Sequence, residues 1–196
     1  MLGQAGAGLA ALHTRQLAHM DVKPGNILQA REESGLTYKL ADFGHVAVAG
    51  PGLSSPEEGD CRYMAPELLE LQVQRYLLPA ADIFSLGLTV YEAASLRPLP
   101  RNSLDDPNYE NIKRGRLQYL DCYSEDFNNL ICSMVNVDPV LRPTANRVVA
   151  AAETDENINK PKSQLCKELK KTKKKLFLLE QRLKSSKENC RKKNIL

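Results

Sequence analysis

The stretch His19-Met20-Asp21-Val22-Lys23-Pro24-Gly25-Asn26 places three kinds of polar group in one short segment. Asp21 offers a carboxylate, Lys23 a cation two residues later, and Asn26 an amide five residues later. Pro24 fixes its own φ and disfavours helical backbone at the residue before it, so an open loop is predicted. Such groups can orient a hydroxyl, neutralise a phosphate and bind magnesium, and the loop therefore predicts phosphoryl transfer.

Composition narrows the class of protein. A chain of 196 residues with 42% hydrophobic and 26% charged residues is typical of one or two globular domains. Residues 1–159 contain 13 Lys and Arg against 21 Asp and Glu, a balance of −8, whereas residues 160–196 contain 14 against 3, a balance of +11. The sequence therefore predicts an acidic body followed by a basic tail.

Cysteine usage and hydropathy indicate the compartment. The five cysteines form no C-x-x-C pair and no zinc-type cluster with histidine, so reduced thiols in the cytosol or nucleus are predicted. No apolar run reaches the length of a membrane span, and no membrane association is expected.

Hydrophobic periodicity predicts a mainly helical fold with a short β-hairpin beside the loop. The hairpin pairs residues 27–30 with 37–41. One further helix is expected to begin at the A-P-E sequence with Leu68, Leu69 and Leu71. The other predicted helices cover residues 1–18, 80–94, 109–114, 124–135 and 144–152, and residues 153–163 are predicted to be a linker.

Further motifs follow the loop in a fixed order. Asp42-Phe43-Gly44 lies 16 residues after Asn26 and behind the predicted hairpin. Ala65-Pro66-Glu67 and Asp138-Pro139-Val140-Leu141-Arg142-Pro143 come later in the chain. Between them, Asp82 permits two interpretations: a solvated helix cap, or a buried acid that holds the backbone of the catalytic loop.

Together these motifs resemble the C-terminal lobe of a protein kinase, over residues 1–152. Methionine at position 20 instead of arginine, His45 after D-F-G, and Glu57-Glu58-Gly59-Asp60 resemble the Wee family of mitotic inhibitor kinases. So do residues 98–102 and 114–117. The membrane-anchored Myt relatives share the E-G-D and Y-M-A-P-E-L-L wording but are expected to carry a hydrophobic segment after the kinase domain. Because this sequence contains no such segment, the Wee family is favoured.

The resemblance implies ATP and Mg²⁺ as cofactors and a role for each group of the loop. Asp21 would orient or accept the proton of the substrate hydroxyl, and Lys23 would neutralise charge on the γ-phosphate. Asn26 and Asp42 would hold the magnesium ions. Leu28 would form the floor of the adenine pocket.

The resemblance also implies how the activation segment, which begins at Phe43 and Gly44, is held. Glu67 and Arg142 would form a buried ion pair, the alternative being two unrelated surface charges. Asp60 would contact Lys23. Because Met20 offers no guanidinium for a phosphate, and the segment brings its own acids at positions 57, 58 and 60, order without phosphorylation is expected.

The family implies that a tyrosine of a mitotic cyclin-dependent kinase is the acceptor. Lys23-Pro24-Gly25-Asn26 is worded like a serine/threonine kinase, so the tyrosine expectation rests on the family alone. No glycine-rich loop or V-A-I-K lysine precedes residue 1; an absent N-terminal lobe and little activity of the chain alone are therefore expected. The alternative is a pseudokinase or kinase-lobe fragment that serves as an interaction module.

The tail, residues 164–196, is predicted to be a basic helix or a short coiled coil, with a solvated, partly helical tail as the alternative. Leu165, Leu169, Leu176, Leu179 and Leu183 follow a heptad spacing, which predicts a weak coiled-coil association. Residues 170–175 contain five lysines and suggest a nuclear localisation signal, with the cytoplasm as a second location. Nucleic-acid binding is not expected, because no aromatic residues interleave with the charges.

Overall fold

The computed structural model describes residues 1–33, 35–50, 59–69, 77–102, 106–154, 171–172 and 175–176. The chain divides into two compact units, Met1–Asn159 and Lys160–Leu196. In the second unit the four described residues are helical, and Leu176 among them is exposed. The rest of the predicted heptad pattern lies outside the described residues.

The described part of the first unit is mainly helical, as predicted, and contains two small antiparallel sheets, of which the sequence predicts only the hairpin. One sheet pairs β1 with β4, and the other pairs β2 with β3 as the predicted hairpin, in which Ile27 faces Leu40. The helices are α1 (Leu2–His13), α2 (Leu78–Ser95), α3 (Asn108–Lys113), α4 (Glu125–Met134) and α5 (Ala145–Thr154); the strands are β1 (Leu17–Ala18), β2 (Ile27–Glu32), β3 (Gly35–Leu40) and β4 (Ala47–Val48).

The prediction of a helix over residues 1–18 is wrong at its end. α1 stops at His13, and Gln16 takes a left-handed φ of 57° that no α-helix can contain. Leu17 then pairs with Val48 across the small β1–β4 sheet. The apolar residue at position 17 fits helical and strand spacing alike, and only the distant partner strand decides between them.

Other boundaries also differ from the predictions. The A-P-E sequence opens a 3₁₀ turn, Pro66–Leu69, and the predicted helical residue Leu71 lies outside the described residues. α5 continues to Thr154, two residues beyond the predicted end of this helix. The start of α4 follows the expected chemistry, because the Ser124 hydroxyl accepts a hydrogen bond from the backbone N–H of Phe127.

α2 is the centre of the hydrophobic core. Its buried residues face every direction around the helix axis, which is typical of a helix enclosed by other elements. α1, α4 and the Pro139–Leu141 turn all contact α2, and α1 also packs along α5. α2 therefore gives the loop His19–Asn26 a rigid support, because Asp82 of α2 bonds to the loop backbone.

Gly115 lies just after the C-terminal end of α3. It belongs to residues 114–117, where the sequence resembles the Wee family. Its φ is +69°, and the backbone N–H of Arg116 bonds to the carbonyl of Asn111, as in the left-handed ends of many helices. A Cβ atom at this position would overlap the carbonyl oxygen of Val135. Both the dihedral angle and the close approach therefore require glycine.

We expect Gly115→Ala to lower the free energy of unfolding by at least about 2 kcal/mol, because left-handed strain adds to a backbone clash. Urea denaturation monitored by circular dichroism measures the change. Gly25→Ala is the matched control, since a Cβ at Gly25 would meet nothing within 4 Å. Equal stabilities for the two variants would contradict this explanation.

Candidate active site

The backbone of the loop His19–Asn26 is held by a buried carboxylate. Asp82 lies in the second turn of α2 and is 1% exposed, so its interpretation as a solvated helix cap is wrong. Its two oxygens accept the backbone N–H groups of His19 at 2.7 Å and Met20 at 2.8 Å. Its Oδ2 also lies 2.9 Å from Nε2 of His13. Asp82 therefore ties the loop to α1 and α2.

This attachment supports a strained backbone. Met20 has a φ of 68°. This left-handed backbone costs a residue with a Cβ about 1–3 kcal/mol and persists only where the surrounding structure imposes it. The Asp82 carboxylate imposes it through the N–H of Met20 itself. The next residue in the chain is Asp21, so the strain at Met20 sets the direction in which the Asp21 side chain leaves the backbone.

Asp21 is the centre of a local polar cluster. Its side chain is 2% exposed, and its Oδ2 lies 2.7 Å from Nζ of Lys23. The amide nitrogen of Asn26 donates to the same oxygen at 2.8 Å and to the Asp21 carbonyl at 2.8 Å. Asp21 therefore contacts both of the other polar groups of the loop, those of Lys23 and Asn26. Oδ1 receives a longer bond, 3.4 Å from the N–H of Asp60, and is the less occupied oxygen.

His19 connects this cluster to the D-F-G sequence. It is fully buried; its Nε2 lies 3.1 Å from the carbonyl of Ala41, and its Nδ1 accepts the N–H of Asp21 at 3.4 Å. Its ring also lies 5.4 Å from the ring of Phe43, in a tilted arrangement. Phe43 is nevertheless 55% exposed.

Asp42 and Asn26 fit a magnesium ion by the chemistry of their donor atoms. Asp42 has a left-handed φ of 63° and an exposed side chain, whose Oδ1 accepts only a 3.3 Å bond from Gly44 N–H. The hydrogen bonds of the Asn26 side chain use its nitrogen, which leaves its oxygen for a cation. Hard oxygen ligands of this kind, completed by phosphate oxygens, are what Mg²⁺ prefers.

The described residues contain no self-sufficient metal centre. Nowhere in these ranges do three or more His, Cys, Asp or Glu side chains meet in a geometry for a metal ion. A magnesium ion here would therefore need ligands from its nucleotide. Leu28, predicted as the floor of the adenine pocket, is on β2 and is 56% exposed.

The prediction for Asp60 is wrong about its partner. Its carboxylate binds Arg62, with Nη2 at 2.6 Å and Nε at 3.0 Å, whereas the ion pair of Lys23 is with Asp21. A guanidinium two residues away offers two donors in a fork, which an ammonium group cannot match. The hydrogen bonds from Arg62 lower the pKa of Asp60, and Lys23 adds a smaller electrostatic contribution.

Gly59 explains how the activation segment approaches the loop so closely. A Cβ at Gly59 would lie 2.8 Å from the carbonyl oxygen of Met20 and 3.2 Å from Oδ1 of Asp21. Glu57 and Glu58, which are expected to help order the activation segment, lie outside the described residues.

The ion pair predicted between Glu67 and Arg142 is present in the structure. Nη1 of Arg142 lies 2.6 Å from Oε1 of Glu67, and Nη2 lies 2.8 Å from Oε2. The guanidinium also donates to the carbonyls of Ala80 and Asn136, at 3.0 and 2.7 Å, and lies over the Phe84 ring. Two segments 75 residues apart in sequence are thereby joined to α2.

Sequence reasoning missed two residues near the site. The sequence predicts no role for His45, which follows D-F-G. In the structure its Nδ1 lies 4.0 Å from Oδ2 of Asp21. Of the buried side-chain nitrogen and oxygen atoms in the described ranges, this Nδ1 alone lacks a hydrogen-bond partner. Lys113 is buried beside the activation segment, and no motif marks it.

Known proteins share this arrangement of motifs. Residues 1–152 match the sequence profile of the protein kinase domain. The Wee1-like protein kinase of Drosophila melanogaster is 34% identical over 94% of this chain and 34% of its own length. The Wee1-like protein kinase of Oryza sativa subsp. japonica is 38% identical over 76% of this chain and 27% of its own length. The chain belongs to the protein kinase family, in its Wee group.

A second kind of Wee-group kinase is also similar. The membrane-associated tyrosine- and threonine-specific cdc2-inhibitory kinase of Drosophila melanogaster is 39% identical over 73% of this chain and 26% of its own length. This Wee-group chain spans about a third of the length of the first relatives it matches. Among its described helices, none combines the length and apolar character needed to cross a bilayer.

Proposed function

We propose that this chain is the catalytic C-terminal lobe of a Wee-type kinase that phosphorylates a tyrosine of a mitotic cyclin-dependent kinase and so inhibits entry into mitosis. The observation that carries the proposal is the contact of Asp21 with both Lys23 and Asn26. A decayed site would not need to keep this carboxylate buried, ion-paired and held on a strained loop.

The chemistry assigns a separate task to each group. Oδ1 of Asp21, the less occupied oxygen, takes the proton of the substrate hydroxyl as its oxygen bonds to the γ-phosphorus and the bond to the β-phosphate breaks. Lys23 neutralises charge on the transferred group. Asn26 and Asp42 would hold Mg²⁺, which neutralises the phosphate oxygens when the nucleotide is bound. Leu28 would contact the adenine of ATP.

The choice of acceptor has a different basis. Its support is the membership in the Wee group and the similarity to a Drosophila kinase named as a tyrosine- and threonine-specific cdc2-inhibitory kinase. The five lysines of residues 170–175 support a further proposal, a location in the nucleus with these residues as the signal. The heptad spacing of leucines supports a weak coiled-coil association through the tail.

A non-catalytic interaction module is the second candidate. The exposure of Leu28 and Phe43, at 56% and 55%, favours it, because large exposed apolar side chains are suited to binding another protein surface.

The test is phosphate transfer by this chain alone and by a fusion with the ATP-covering lobe of the Drosophila Wee1-like relative. The substrates are paired peptides with tyrosine or serine at the acceptor position. We expect the fusion to phosphorylate tyrosine and Asp21→Asn to reduce its kcat by about 10²–10⁴-fold, because the general base is lost.

Asp121→Asn is the control, since Asp121 is exposed and lies outside the loop. Phosphate transfer that Asp21→Asn leaves unchanged would refute the catalytic assignment. A folded but inactive fusion would favour the interaction module, and phosphoserine as the product would refute the choice of acceptor.

A further inference from the structure

The segment Cys61–Met64 follows Asp60 and precedes the Pro66–Leu69 turn. Its carbonyl oxygens are all engaged by side chains from two helices. Ser85 of α2 donates to the carbonyl of Tyr63 at 2.9 Å. Lys113, the last residue of α3, donates from Nζ to the other three carbonyls, those of Cys61 at 2.7 Å, Arg62 at 3.2 Å and Met64 at 2.6 Å.

Most of the N–H groups of the same segment are engaged by Asp60. Its carbonyl oxygen accepts the N–H groups of Tyr63 at 3.0 Å and Met64 at 3.2 Å. Its carboxylate accepts the N–H of Arg62 at 3.1 Å. All four carbonyls and three of the four N–H groups of Cys61–Met64 are therefore bonded within the protein, so the segment offers mainly side chains to a partner.

Burial of the Lys113 ammonium group costs free energy, because the charge loses its hydration. A lysine kept buried at this cost is expected to have a specific structural role. The residue is 7% exposed, and burial lowers the pKa of its ammonium group to about 8, although Cys61 and Asp60 act in the opposite direction. The three carbonyl oxygens and the rings of Phe84 and Tyr109, at 5.9 and 5.6 Å, supply the negative potential that offsets part of this cost.

The position of the segment connects it to catalysis. Asp60, directly before it, donates its N–H to Oδ1 of Asp21. Ala65, Pro66 and Glu67, directly after it, lead to the ion pair with Arg142. The segment thus lies between the candidate general base, which the acceptor hydroxyl has to reach under the proposed function, and the anchor of the activation segment.

We propose that Lys113 is a positioning residue, whose ammonium group sets the shape of the Cys61–Met64 segment and hence of the surface that meets the protein substrate. The part that concerns the substrate rests on the proposed function. Position 20 holds methionine and therefore offers no guanidinium that could bind a phosphate on the activation segment. Lys113 instead supplies a cation to this segment from inside the fold. The segment therefore takes its binding shape without phosphorylation.

Amide hydrogen exchange of the whole 196-residue chain tests the proposal without relying on activity. Lys113→Met keeps a long unbranched side chain but removes the charge and the donors. We expect the amides of residues 62–65 to exchange at least about tenfold faster in this variant, and those of α4 to stay within about twofold. Arg114→Met is the control, because Arg114 is the exposed neighbour on the same helix end.

A second variant keeps the test decisive if Lys113→Met loses the whole fold. Lys113→Arg retains a charge and several donors, so we expect it to fold and to keep the segment protected within about threefold. If both variants unfold alike, packing around the side chain and not the cation is what matters, and the proposal fails. Unchanged exchange of residues 62–65 in a folded Lys113→Met variant would also overturn it.

The substrate part has its own measurement. In the fusion that phosphorylates tyrosine, Lys113→Met is expected to raise KM for a protein substrate by about tenfold while kcat changes by less than about threefold. A fall in kcat alone would contradict positioning of the substrate. If the fusion has no activity at all, the proposed function fails, whereas the exchange result still decides the role of Lys113 in the segment.

Discussion

Arg142→Met is expected to lower the free energy of unfolding by about 3–5 kcal/mol. The Arg142 side chain is completely buried and binds both oxygens of Glu67, which is itself mostly buried. Removal of the guanidinium leaves that carboxylate without its counter-charge. The carbonyls of Ala80 and Asn136 also lose the guanidinium as their hydrogen-bond donor. Methionine fills much of the volume, so the loss reports on charge and hydrogen bonding more than on a cavity.

Chemical denaturation of the unmodified chain and of the Arg142→Met variant measures this effect. Arg147→Met is the control, because Arg147 is exposed on α5, and its effect should stay within about 0.5 kcal/mol. Glu67→Gln in addition to Arg142→Met should recover part of the loss, since the second change removes the isolated charge. A loss below about 1 kcal/mol for Arg142→Met would show that the pair is not the anchor of the activation segment.

Asp82→Asn is expected to reduce the free energy of unfolding by about 2–4 kcal/mol, although the shapes of the two side chains are almost the same. Asparagine has one acceptor oxygen, whereas the N–H groups of His19 and Met20 each require one from this residue. The amide nitrogen would face one of these donors, or His13, without a favourable bond. The left-handed φ of Met20 would then lose the contact that imposes it.

The second consequence of Asp82→Asn is local to the loop. Amide exchange at residues 19–21 should accelerate more than exchange in α4, and phosphate transfer by the fusion should fall because Asp21 is redirected. Asp126→Asn, at an exposed position in the first turn of α4, provides a carboxylate-to-amide control away from the loop. A stable Asp82→Asn protein with normal exchange at residues 19–21 would contradict the role given to this carboxylate.

Much of the site could be predicted because its groups are close in the chain. Asp21, Lys23 and Asn26 lie within six residues, and a loop held open by Pro24 brings them together with little help from the rest of the fold. The partner of Asp60 was nevertheless predicted wrongly, although the observed partner, Arg62, is only two residues away. There the family pattern suggested Lys23, whereas the donor geometry of Arg62 determines the bond.

Residues without a motif could not be predicted in the same way. Lys113 lies 49 to 52 residues after the carbonyls it binds, and nothing in its neighbourhood distinguishes it from the exposed Arg114. His45 stands next to a recognisable motif, but its distance from Asp21 depends on the path of the chain after Gly44. Helix boundaries such as the end of α1 failed for the same reason, since the strand β4 that competes for Leu17 is 30 residues away.

The mainly helical architecture, the candidate catalytic groups of the loop and the family all followed from the sequence. Those features depend on local spacing and on motifs that few other folds use. Tertiary structure alone decided that Asp82 is a buried acceptor for the loop, that Asp60 binds Arg62, and that Lys113 bonds three carbonyls of the activation segment. The physical reason is that the free energy of a buried charge depends on which donors and acceptors surround it in space, and the order of residues along the chain does not specify those neighbours.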